Sequence, residues 1–132
     1  MDIHYTALFI TKSDELLISF PPKHKHVFAH HSTIAFEPQN LDGIEMGKEW
    51  NIKILGRTTD EKGDALLVEN PKSQNKYPHI TLSCKEGVDS VYSNELLEKA
   101  TKAGTIEYFK KPFFVEAIEG YSDHEGKIVI NP

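Results

Sequence analysis

A chain of 132 residues with 39% hydrophobic content is the size of one compact domain and holds enough apolar side chain for a core. The net charge is −5, and Arg57 is the single arginine among 15 basic residues, which excludes the many-phosphate grip that long duplex nucleic acid requires. No run of about 18 apolar residues is present to span a bilayer, the first residues lack the basic leader of a signal peptide, and Cys84 has no second cysteine to pair with, so a cytoplasmic protein is expected.

In chain order, residues 3–10 (IHYTALFI) read as a first strand from their β-branched and aromatic content. Residues 12–20 read as a short helix capped by Ser13 and stopped by Pro21 and Pro22. After the polar connection PPKHKH, residues 27–36 form one strand ending at Pro38, and a loop rich in glycine and polar residues follows. Residues 50–60 and 64–70 are two strands of a hairpin turning at Glu61, Lys62 and Gly63. HITLSC, residues 79–84, is another strand. Residues 93–104 make the clearest helix, with Ser93 or Asn94 near its start and Gly104 just past its end. The tail from Phe113 is a terminal hairpin turning at DHEG, residues 123–126. Helix and histidine-bearing strand occur early and recur late, so the chain is expected to be α+β, one domain over residues 1–132 with two roughly matching lobes.

Two of these strands carry the chemistry. Side chains alternate along a strand, so in HSTI His31 and Thr33 share one face while Ser32 and Ile34 share the other, and His30 is expected to face away with Ser32. In HITL the same geometry pairs His79 with Thr81, opposite Ile80 and Leu82. The β-propensity of threonine explains its presence in a strand but not its repeated register with histidine. Cleaving a phosphodiester without a metal needs a base for the attacking oxygen and an acid for the leaving oxygen, on opposite sides of phosphorus. Two imidazoles suit both tasks near neutral pH, and two hydroxyls can hydrogen-bond the non-bridging oxygens. An acidic protein can hold a phosphate in this way.

The tetrapeptides HSTI and HITL resemble the paired H-x-T/S-hydrophobic motifs of the 2H phosphoesterase superfamily. The resemblance implies a two-lobed fold of antiparallel sheets with few helices, each lobe giving one motif strand to a central cleft. It implies His31 and His79 as acid and base, Thr33 and Thr81 as phosphate ligands, and no metal or other cofactor. The implied substrate is a small nucleotide phosphodiester, a 2′,3′-cyclic phosphate RNA end or a cyclic oligonucleotide signal. The histidines are 48 positions apart, a short spacing that points to a compact member with trimmed loops.

Other readings compete. A non-catalytic module of the same fold would bind a nucleotide or RNA end and leave it intact. The cluster His24, His26, His30 and His31 offers imidazoles to a metal but lacks a cysteine or carboxylate partner at familiar spacing, so no metal site is expected. Cys84 follows an apolar strand and reads as a packing residue. For base stacking the candidates are Tyr5, Tyr77 and Trp50, with Tyr108 and Phe109 behind them, and Lys76, Lys110 and Lys111 are candidates to attract phosphate.

Overall fold

A computed structural model describes residues 1–131. In chain order the elements are β1 (Tyr5–Ile10), α1 (Ser13–Ser19), β2 (His26–Val27), β3 (His31–Phe36), β4 (Glu49–Thr59), β5 (Gly63–Val68), β6 (His79–Cys84), α2 (Tyr92–Ala103), β7 (Glu107–Ser122) and β8 (Ile128–Val129). The strand pairings are antiparallel, and one sheet runs β2-β6-β5-β4-β7-β1-β3, with β8 on β7. The class is therefore α+β, mostly antiparallel sheet with two helices. One sheet carries both motif strands.

The two ends of that strand order are neighbours in the chain, because only residues 28–30 separate β2 from β3. The sheet accordingly curls until β3 lies against β6. Here the expected continuous strand over residues 27–36 is broken. Ala29 adopts φ 63, in the left-handed region that costs an L-residue roughly 1–2 kcal/mol. Two hydrogen bonds and complete burial hold it there: the amides of Phe28 and Ala29 donate to the carbonyls of Leu82 and Thr81, each at 2.8 Å. Past the kink the pairing partner changes from β6 to β1, where the Ile10 amide donates to the carbonyl of His30 at 2.9 Å.

Alternation then decides what each face does. Leu8 and Ile10 of β1, Ile34 of β3, Ile52 and Ile54 of β4, Leu66 and Val68 of β5, Ile80 and Leu82 of β6, and Val115 and Ala117 of β7 all point into one core, closed by Leu16 and Phe20 from α1 and its end. A smaller cluster lies on the other face, where α2 packs Leu97 and Ala100 with Ile106 against Leu67 and Tyr77. Gly104 ends α2 at φ 68, as its position predicts. The expected Ser13 cap does not form, since Ser13 lies inside α1 behind Lys12; Ser93 and Asn94 stand at the start of α2 as expected, with the Ser93 hydroxyl turned to Thr81. β7 also begins earlier than the tail hairpin suggested, and its 16 residues bridge β4 and β1.

Candidate active site

The faces opposite the main core bring the two motifs together. In β3, Ser32 and Ile34 are buried inward, leaving His31 and Thr33 on the outer face; in β6, Ile80 and Leu82 do the same for His79 and Thr81. Because β3 closes against β6, these four side chains line one cavity of about 450 Å³, with α2 and the turn before it forming a third wall through Ser90, Val91 and Asn94. That volume falls within the range of small-ligand sites. A β-bulge between Thr6 and Ala7 leaves Ile34 as an extra residue opposite β1, so the alternation slips and Phe36, not Ala35, returns to the cavity beside Tyr5.

Each imidazole is fixed through its Nδ1. His79 donates from Nδ1 to the carbonyl of Tyr77 at 2.7 Å, which sets the proton of the neutral ring on that nitrogen and leaves Nε2 with its lone pair free. His31 meets His30 Nδ1 to Nδ1 at 3.0 Å, so one ring donates to the other, while Tyr5 stacks on His31 with ring centroids 4.5 Å apart. Among the described residues, neither His31 nor His79 has a hydrogen-bond partner at Nε2. Burial disfavours charge on both rings. It pushes His31 down to about 3, helped by the neighbouring His30, His79 and His4, and it lowers His79 against the opposing pull of the Tyr77 carbonyl. His30 is lowered by the same cause.

The two hydroxyls are held differently. Thr81 Oγ1 hydrogen-bonds Ser93 Oγ at 2.7 Å, so α2 orients it, whereas Thr33 Oγ1 has no partner among the described residues. None of the described residues lining the cavity is lysine or arginine. An anion there meets hydroxyls, imidazoles and the side-chain amides of Asn75 and Asn94, with the Asp89 carboxylate also on the lining.

Of the stacking candidates, Tyr5 lines the cavity; Tyr77 and Trp50 do not. Tyr77 packs beneath α2, because the residue two before His79 ends in the loop that α2 covers. Trp50 lies on β4 and donates its indole N–H to the buried Glu119 at 2.8 Å. Tyr108 is exposed on β7 and Phe109 packs against Phe20. Lys76 pairs with Glu98 at 3.4 Å, and Lys110 and Lys111 are exposed on β7 outside the cavity lining. Cys84 is fully buried, and burial raises its thiol, as befits a packing residue. His24 is engaged with the carbonyl of Asp60 at 2.8 Å.

His30 is the clearest departure from strand parity. It lines the cavity and stacks on His31 at 5.1 Å, because the left-handed Ala29 resets the alternation just before it. The residue before a strand is not bound by the strand's parity. Phe28 and Phe36 add apolar walls that the sequence patterns did not single out, and the support Ser93 gives Thr81 depends on a helix meeting a strand 12 positions away. No protein-family model matches the chain, and no curated protein matches it closely.

Proposed function

We propose that the chain is a compact 2H-type phosphodiesterase that hydrolyses a small nucleotide phosphodiester, a 2′,3′-cyclic phosphate RNA end or a cyclic oligonucleotide. The observation that carries the reading is the pair of Nδ1-anchored imidazoles, His31 and His79, lining one cavity with Thr33 and Thr81. A phosphate between them is attacked in line: one Nε2 takes the proton of the attacking water, the other gives a proton to the departing ribose oxygen, and the hydroxyls bind the non-bridging oxygens. The bond to the leaving oxygen breaks as the bond to water forms. Tyr5 and the apolar walls from Phe28 and Phe36 supply stacking surface for a base.

One observation favours recognition without cleavage: the same burial that holds both rings also lowers both, so proton donation demands that an incoming anion restore the charge on one of them. The alternative is thus a module that sequesters a nucleotide or RNA end. Incubation in EDTA with 2′,3′-cyclic mononucleotides, short RNAs with cyclic ends, and cyclic di- and trinucleotides, resolved by mass, separates the two. Hydrolysis lost in His31→Ala and in His79→Ala, by a factor of about 10² or more each, is the expected outcome. Activity destroyed by the chelator, or retained in both variants, overturns the mechanism; a ligand bound but recovered intact selects the module.

A further inference from the structure

Two histidines outside the paired motifs, His4 just before β1 and His124 in the turn between β7 and β8, meet Glu37 just after β3. One donor atom of each lies within 4.8 Å of the others. His124 Nε2 is 2.5 Å from Glu37 Oε1, His4 Nε2 is 3.9 Å from the same oxygen, and the two rings stack with centroids 4.7 Å apart. The other nitrogen of His124, Nδ1, is bonded to a carboxylate oxygen of Asp2, whose second oxygen accepts from the His124 amide at 3.2 Å.

We propose that His4, Glu37 and His124 form a binding site for a divalent first-row transition metal of the zinc class, with Asp2 as the residue that orients His124. Three segments distant in sequence converge here on two imidazoles and a carboxylate, a donor set such ions prefer, and three protein ligands leave a coordination position open. The carboxylate on Nδ1 is the arrangement that fixes a metal-binding imidazole in the tautomer presenting Nε2, and it raises that nitrogen's basicity. Metal–nitrogen and metal–oxygen bonds of about 2.0–2.2 Å place the ion between atoms that already stand close together, and it takes the place of the proton shared by His124 and Glu37. The side chains of His4, Glu37 and His124 are between a third and a half exposed, so an ion reaches them from solvent.

The site adjoins the cavity, since His4 lines it. An ion held there brings positive charge to a rim whose described lining lacks lysine and arginine, and a phosphate of the ligand beyond the one being cleaved gains from it. Only that last consequence rests on the phosphodiesterase reading. Metal binding itself is measured without any nucleotide, so it can fail while hydrolysis in EDTA succeeds, and the reverse.

The test is titration of tag-free protein with Co²⁺, read by its visible absorption, and with Zn²⁺ by calorimetry. The expected result is one equivalent bound, lost in Glu37→Gln and in His124→Ala, weakened roughly 10- to 100-fold in Asp2→Asn, and kept in the double variant His24→Ala/His26→Ala and in His31→Ala. Glu37→Gln preserves shape at an exposed position, and its circular dichroism guards against loss of fold. Binding that survives both Glu37→Gln and His124→Ala, or that is lost with His24 and His26 instead, overturns the proposal, as does the absence of any stoichiometric binding.

Discussion

At the scale of single residues, the cavity turns on how the protein treats imidazole charge. His31 is brought down from 6.5 to about 3, first by burial and then by the charges its histidine neighbours would carry, and His79 is also lowered by burial. A reaction that needs one ring neutral and one protonated in the free protein then loses its protonated partner as pH climbs above these depressed values. The expected profile of kcat/KM falls as pH rises from 6.5 upward, with the optimum on the acid side. Replacing His30 with alanine removes a repelling neighbour and admits water, so the optimum moves toward higher pH. A profile peaking above 6.5 in the unaltered protein would mean that the rings are solvated and the cavity is wet.

At the scale of elements, a buried carboxylate locks the β4–β5 hairpin to its surroundings. Asp64 is fully buried on β5 and receives Arg57 on both oxygens at 2.9 Å, the Thr59 hydroxyl at 2.9 Å, the Ser83 hydroxyl of β6 at 3.0 Å and the Lys23 amide at 3.1 Å. One side chain thereby ties β4, β5, β6 and the connection after α1. Asp64→Ala leaves the Arg57 guanidinium, only 13% exposed, without its counter-ion, and destabilisation of about 3–5 kcal/mol is expected from urea unfolding at an unchanged denaturant slope. A loss below about 1 kcal/mol would show that Arg57 finds water instead. The turn, β4 and β5 are readable from residues 50–70, where alternation and EKG announce a hairpin. Arg57, by contrast, reads in the sequence only as a lone arginine, because its partner's burial is a product of β6 and the 21–24 segment arriving from elsewhere.

At the scale of the whole molecule, β7 is the member that makes one sheet of the chain. It pairs with β4 along one edge and β1 along the other, joining the β4-β5-β6 side to the β1-β3 side. The cavity lies where those two sides meet again, at β3 and β6. A chain ended at residue 105 keeps both histidine motifs but loses this bridge, and it is expected to show no cooperative thermal transition by circular dichroism. A cooperatively folded shortened chain would contradict the account of the sheet as one unit. Long-range antiparallel pairing of this kind also predicts folding on the millisecond-to-second scale, because loop closure precedes the contacts that reward it.

What the amino-acid sequence determined by itself is local and periodic. β6 spans residues 79–84 as its pattern indicates, Gly104 ends α2, and His31 with Thr33 and His79 with Thr81 stand on faces opposite their apolar neighbours, since alternation is a property of the extended backbone alone. What only the tertiary structure decided are the meetings. Ala29 breaks a strand that reads as continuous because Leu82 and Thr81 offer carbonyls to the Phe28 and Ala29 amides, and that kink swings His30 into the cavity. Ser93 hydrogen-bonds Thr81 in place of serving a helix end, and Asp2 with His4, Glu37 and His124 converge from three segments far apart in the chain. Such encounters depend on which distant segment supplies the hydrogen bonds and the cover, and no periodicity within a short window carries that information.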